Sequence, residues 1–140
     1  MEEQITRVGI GITIIKDGKI LLGKRKGSHG AGQWATPGGH LEYMESFREG
    51  VLRELAEECG VEVENIRFQY LANMKEYAPK HYCHIGMIME WKSGEPIVLE
   101  PDKCEEWKWF DVKDIPKEIF ASSQWSIDAL REGFVFKDSE

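Results

Sequence analysis

The stretch "GGHLEYMESFREGVLRELAEECGV", residues 38–61, gathers six glutamates and two arginines. Its second half has a helical period. Ser46 followed by Glu49 fits a capping box, and Gly60 fits the residue just past a helix end. Between them Leu52, Leu55, Ala56 and Cys59 recur at the spacing of one helix face. At about 100° per residue, Glu54, Glu57 and Glu58 fall within roughly one third of the circumference, on the side opposite that stripe. Like charges three or four residues apart repel by about 0.2–0.5 kcal/mol per pair on an exposed helix. Arg53 can pair with Glu49 or Glu57, but it cannot neutralise the group. Two readings are open at this point. One is a solvated acidic face, the commoner fate of such a cluster. The other is a set of hard oxygen ligands for a divalent cation such as magnesium, typically held by a few carboxylates together with substrate phosphates.

Working outward, "VGIGITIIKDGKILLGKRK" (8–26) contains two aliphatic runs separated by Asp17-Gly18, a pair suited to a type I′ turn, and reads as a hairpin. "GKRKGSHGAGQWATPGGH" (23–40) brings six glycines and a proline and reads as loop. Beyond the acidic helix, "VEVENIRFQYLANMKEY" (61–77) and "HYCHIGMIMEWK" (81–92) read as strands joined through "YAPK". "SGEPIVLEPDKCEE" (93–106) is loop-like, "WKWFDV" (107–112) a short strand, and "PKEIFASSQWSIDALREG" (116–133) a closing helix with Pro116 near its start. A mixed sheet flanked by two helices, an α/β sandwich, accounts for this order.

The 140 residues suit one compact domain spanning 1–140, with neither repeat nor linker. The net charge of −7 comes without a basic run, so a nucleic-acid polymer is not expected as partner. A polyanion can still bind an acidic protein through an intervening metal. No apolar run reaches membrane-spanning length, so no membrane partner is expected. The start, "MEEQITRVGI", lacks the basic region of a signal peptide, which makes the cytoplasm the expected location. Cys59, Cys83 and Cys104 form no C-x-x-C pair and read as reduced, buried thiols.

From Gly39 the chain runs Gly, five residues, Glu45, seven residues, then Arg53-Glu54-Leu55-x-Glu57-Glu58-x-Gly60-Val61. This is similar to the Nudix box, G-x5-E-x7-R-E-U-x-E-E-x-G-U with U aliphatic, and every specified position agrees. Seven fixed identities coincide by chance on the order of once in 10⁸ windows. The chain therefore resembles a Nudix hydrolase. The likeness implies an α/β/α sandwich that hydrolyses a nucleoside diphosphate linked to another moiety, with Mg2+, or Mn2+ as the alternative. It implies that Glu54, Glu57 and Glu58 ligate metal, with one of them activating water, and that Arg53 holds a glutamate in place. Glu45 would anchor the loop to the helix, Gly60 would end the helix, and Gly38 and Gly39 would let the loop approach metal and phosphates. Metal ions relieve the repulsion that protects a phosphoanhydride and acidify bound water, and a neighbouring carboxylate can take the proton.

"PGGHLEYMES", "HYCHI", "EPDKCEEWKW" and "FASSQWSIDALREGF" extend the resemblance to the MutT-related nucleotide diphosphatases of the thiopurine-nucleotide and oxidised-dGTP type. Two positions depart from that branch: Tyr43-Met44 stand where Phe-Gly is frequent, and Ala35 stands where some relatives place a guanine-reading Gln. "CEEW" offers a further metal carboxylate, Glu106 by its match to MutT or Glu105 by the thiopurine-type branch. Arg25 is a candidate phosphate ligand, and Trp34, Tyr82 and Trp107 are candidate base-stacking rings, though aromatics in sheets are more often core. Tyr77 and Pro79 are weak pointers to dinucleotide or ADP-ribose substrates. His81 and His84 lack ligand-like partners by spacing and read as hydrogen-bonded structural residues. The expected function is Mg-dependent hydrolysis of a nucleoside triphosphate to monophosphate and pyrophosphate. The alternatives are a pyrophosphatase for another X-linked diphosphate (ADP-ribose, a dinucleotide or an isoprenyl diphosphate) and a non-catalytic nucleotide-binding module. Homodimerisation is suggested by the resemblance alone.

Overall fold

The computed structural model describes residues 4–27 and 29–139. Strands β1 (Thr6–Lys16) and β2 (Lys19–Arg25) form the expected hairpin, with Ile15 opposite Ile20. Asp17 and Gly18 take φ of 49° and 76°, the left-handed values that a type I′ turn requires. The glycine-rich segment that follows is not loop throughout. It contains β3 (Trp34–Ala35), paired with β2, and β4 (Gly38–His40), which lies antiparallel to Gly9–Gly11 of β1. Such short strands leave no periodic signal; only their partners reveal them.

Helix α1 (Phe47–Glu58) follows, then β5 (Glu62–Met74), β6 (His81–Ser93), β7 (Cys104–Asp111), α2 (Ala121–Glu132) and β8 (Phe136–Lys137). Among the described residues the sheet has eight strands in the order β3-β2-β1-β6-β5-β8, with β4 on β1 and β7 on β2. It is mixed, since β1 and β6 run parallel while β5 and β6 run antiparallel. Alternation along β1 separates the two faces. Ile10, Ile12 and Ile14 pack with Val51, Leu55 and Cys59 of α1. Gly9, Gly11 and Thr13 look the other way, toward α2, whose Ile127 packs on Ile20 and Leu22. The result is the α/β/α sandwich the sequence implies.

The buried row of α1 differs from the expected one. It is Val51, Leu55 and Cys59, whereas Leu52 is 42% exposed and Ala56 faces solvent. Gly50 lies on the same side, where a Cβ would come within 2.8 Å of the Ile10 Cδ1 methyl, so glycine eases the close approach of α1 to β1. Consequently the acidic and apolar faces are not opposed, and Glu54 is buried beside Leu55. Ser46 caps the helix as expected, accepting from the Glu49 N–H at 3.0 Å, and Gly60 (φ 74°) closes it by donating to the Leu55 carbonyl.

Helix α2 starts at Ala121, not near Pro116. The intervening segment pairs with β3 instead: Trp34 N–H donates to the Glu118 carbonyl and Phe120 N–H to the Trp34 carbonyl. Likewise β7 begins at Cys104, because β2 continues to pair as far as Arg25 through a bulge. Cys59 is buried as expected, whereas Cys83 and Cys104 are only half-buried; all three are free thiols.

The revised helix face makes a direct test. Leu55→Ala is expected to cost roughly 2–5 kcal/mol by removing buried methyl groups, while Leu52→Ala stays within about 0.5 kcal/mol. Urea unfolding of both variants checks this; equal losses would restore the face expected from periodicity.

Candidate active site

The acidic helix and the loop before it are held together by one guanidinium. Arg53 donates Nε to Glu45 Oε2 at 2.7 Å and Nη2 to Glu45 Oε1 at 3.0 Å. Its Nη1 reaches Glu54 Oε1 at 2.8 Å and Glu57 at 3.4 Å, and Nη2 also donates to the His40 carbonyl. The partners are Glu45, Glu54 and Glu57, with Glu42 nearby at 3.5 Å, rather than Glu49. Charge-assisted bidentate pairing of this kind fixes geometry as well as charge. From the loop side, Gly38 N–H donates to Glu58 Oε2 at 3.1 Å.

The two loop glycines are required by contact. A Cβ on Gly39 would collide with the Glu54 carboxylate, and one on Gly38 with the Ile10 carbonyl. Met44 takes φ 65°, a left-handed conformation that explains why glycine is frequent at this place in the resembling branch.

Glu54 and Glu58 lie side by side, and burial raises both carboxyls above the ordinary range. Glu58 is pushed up to about 9, first by burial and then by the neighbouring Glu54 charge. Burial outweighs the Arg53 contact at Glu54. Glu45 goes the other way, lowered by its hydrogen bond from Arg53. These carboxylates, with the backbone at Gly39, make a hard-oxygen donor set of the kind Mg2+ or Mn2+ takes. The side-chain-free cradle at Gly39 brings the backbone against Glu54, so the residues present fit such an ion. Among the described residues no three acidic, histidine or cysteine side chains already converge as a coordination cage; Arg53 and the Gly38 N–H hold them instead.

Two adjoining cavities meet at this point. One, of about 790 Å3, is lined by Lys24, Lys26, Lys103, Glu54, Glu57 and Asp102. The other, of about 820 Å3, is lined by Gly9, Gly11, Tyr77, Tyr82, His84 and Phe120. Arg25, Thr36, Gly38, Gly39 and Glu58 line both, so they form one trough with a charged half and an aromatic half. Tyr77 stacks on Phe120 at 5.4 Å, and the Arg25 guanidinium lies 4.1 Å over the same ring while donating to the His29 carbonyl.

Of the residues singled out in the sequence, Arg25, Gly38, Gly39, Tyr82, Arg53, Glu54, Glu57 and Glu58 border the trough. Trp34 does not. Its neighbour Ala35 takes the trough side, and strand alternation turns Trp34 into the core, edge-on to Phe110 at 4.9 Å. Glu106 is exposed and lines neither cavity, and Glu105 pairs with Lys24 at 3.7 Å. The extra carboxylates at the charged half are Glu100 and Asp102, from the loop before β7. Trp107 also borders the charged half, where it lies against Gly23 and donates Nε1 to the Glu58 carbonyl. His81 is hydrogen-bonded to Asn73 and Thr6 as expected, whereas His84 Nε2 has no partner. Gly9-x-Gly11 within a β-branched run was the available signal for a close approach at His84.

The raised carboxyls carry a stability prediction. Between the ordinary carboxylate value near 4.5 and the Glu58 value of about 9, the folded chain binds more protons than the unfolded one, so stability falls as pH rises through that window. In chelator, Tm is expected to drop from pH 5.5 to 8.5, and Glu58→Gln to flatten the slope. A Tm that rises with pH would contradict the buried pair.

Residues 5–130 match the family model for the NUDIX domain. NAD-capped RNA hydrolase NudC of Pseudomonas putida is 36% identical over 105 residues, 75% of this chain, but the match spans only 37% of that relative. An oxidized purine nucleoside triphosphate hydrolase of Danio rerio is 30% identical, covering 85% of this chain and 72% of the relative. An ADP-ribose pyrophosphatase of Methanocaldococcus jannaschii is 33% identical, covering 89% and 73%. The crystal structure of a MutT NUDIX hydrolase from Burkholderia pseudomallei superposes with a TM-score of 0.82 at 34% identity, covering 89% of this chain and 97% of that one. With the box residues gathered around Arg53 and the match running nearly end to end, the chain belongs to the Nudix family of hydrolases.

Proposed function

We propose that this Nudix hydrolase is a magnesium-dependent nucleoside triphosphate pyrophosphohydrolase, with manganese as an alternative metal. The observation that carries the reading is the divided trough, in which Glu58 and Gly38–Gly39 stand between a lysine- and carboxylate-lined half and an aromatic half. A nucleotide has the same two parts. Two relatives that the chain matches over most of their length bear nucleotide substrates in their names, an oxidized purine triphosphate and ADP-ribose.

In this reading Glu54, Glu57 and Glu58, with the Gly39 backbone, hold the metal. The ion supplies charge neutralisation at the phosphates and acidity at bound water. Arg25, Lys24 and Lys26 meet phosphate oxygens, and Arg53 keeps Glu54 aimed at the loop. Water adds to one phosphorus as the bridging P–O bond breaks, and a box carboxylate takes the proton, giving nucleoside monophosphate and pyrophosphate. Tyr82 and the Tyr77–Phe120 pair flank the base.

The ADP-ribose relative favours a second reading, cleavage of a nucleoside diphosphate joined to a sugar, at the same site. Capped RNA is a weaker case, since the chain spans about a third of the NudC relatives it matches. The proposal includes a cytoplasmic location, where magnesium and free nucleotides coexist, and a homodimer that light scattering would verify.

A panel of canonical and modified triphosphates, ADP-ribose and dinucleotides, assayed with magnesium for pyrophosphate or phosphate, decides among these. Triphosphates are expected to give the highest kcat/KM. Preferential turnover of ADP-ribose would replace the leading reading with the second. Glu57→Gln and Glu58→Gln should each lower kcat by on the order of 10²-fold or more with the fold intact by circular dichroism. Near-normal rates in both would remove these residues from the metal site.

A further inference from the structure

The aromatic half of the trough contains a polar group that the protein itself leaves unsatisfied. His84 lies on β6 in register with Gly9 of β1. Its ring covers the two glycines: a Cβ on Gly9 would come within 2.9 Å of Nδ1, and one on Gly11 within 2.7 Å of Nε2. Gly9, Gly11 and His84 all line the cavity, and the two missing side chains leave its floor flat where the ring lies. The residue is only 8% exposed, and Nε2 has no hydrogen-bond partner. A buried imidazole to which the protein gives no hydrogen-bond partner, lying in a cavity wall, is a pointer to a ligand.

The neighbouring hydroxyls bond other groups. Tyr70 and Ser126 share a hydrogen bond of 2.7 Å, and Ser123 accepts from the Thr36 N–H at 2.9 Å. Burial pushes the imidazole down to about 4, so at neutral pH the ring is uncharged, with one nitrogen able to donate and the other to accept. An uncharged ring suits the polar edge of a nucleobase better than a phosphate, which would call for a cation. Tyr82 and the Tyr77–Phe120 pair stand beside this floor and supply ring faces for a flat ligand.

We propose that His84 is the base-reading residue of this enzyme, hydrogen-bonding the edge of a planar nucleobase whose phosphates occupy the charged half of the trough. The proposal rests on the reading of the substrate as a nucleotide phosphoanhydride. It assigns His84 to base selectivity, with no part in bond cleavage.

The test compares wild type with His84→Phe, which keeps a flat ring without nitrogens, and His84→Gln, which restores a donor and an acceptor. Steady-state kinetics are measured across adenine, guanine, cytosine and uracil nucleotides, on whichever phosphoanhydride the wild type cleaves: the triphosphates, or ADP-ribose and its counterparts with other bases. Failure of the triphosphate reading is thus seen in the wild type alone, before the variants are compared. His84→Phe is expected to raise KM for the preferred base about tenfold, to change kcat by no more than about twofold, and to narrow the spread of kcat/KM across bases; His84→Gln recovers part of the preference. An equal loss for every base, or unchanged KM and base ratios, would overturn the proposal. Should His84→Phe not fold, His84→Leu takes its place, and the same changes in KM and base ratios support or overturn the proposal.

Discussion

The Arg53 guanidinium is the constraint on which the site depends. It takes both oxygens of Glu45, one of Glu54 and the His40 carbonyl, so a single side chain ties β4, the connecting loop and α1 together. Without it, Glu54 would be a buried carboxylate beside Glu58 with no compensating cation, a situation that is strongly destabilising. Lysine could replace the charge but not the planar fork that engages three groups at once. The acidic cluster is therefore not a fault in the helix. It is a structure in which repulsion is partly offset by one arginine, and the remainder is available to a divalent ion.

The sandwich places that cluster where it is useful. Alternation along β1 directs the isoleucines to α1 and the glycines to α2, so one strand supports the acidic helix on one face and the floor of the aromatic cavity on the other. β4 crosses between these regions and brings Gly38 and Gly39 to the junction. Gly50 eases the approach of the helix to β1, on the side where Glu54 is buried. The same few backbone positions thus set both the height of the helix and the aim of its carboxylates.

What could be read in advance was local in origin. The Asp17-Gly18 turn, the Ser46 cap, the Gly60 stop and the spacing from Gly39 to Val61 all depend on residues close in sequence, and each appears in the structure. What could not be read depends on distant partners. Trp34 and Ala35 are adjacent, and only the pairing of β3 with β2 decides which one reaches the trough. The start of α2 shifts because Glu118 and Phe120 bond Trp34. That Glu100 and Asp102 border the trough while Glu106 does not follows from the point at which β7 joins the sheet. Helical periodicity was also misleading for α1, since Leu52 fits the apolar pattern yet stays exposed while Val51 packs against β1.

If a metal binds as proposed, Glu58, held by the Gly38 N–H beside the Arg53-clamped Glu54, is among its ligands and Glu106 is not. Manganese titration followed by electron paramagnetic resonance tests it without substrate or turnover. Wild type and Glu106→Gln are expected to bind the ion with the same affinity, and Glu58→Gln to lose at least about tenfold. Undiminished binding in Glu58→Gln, or loss in Glu106→Gln, would contradict the account.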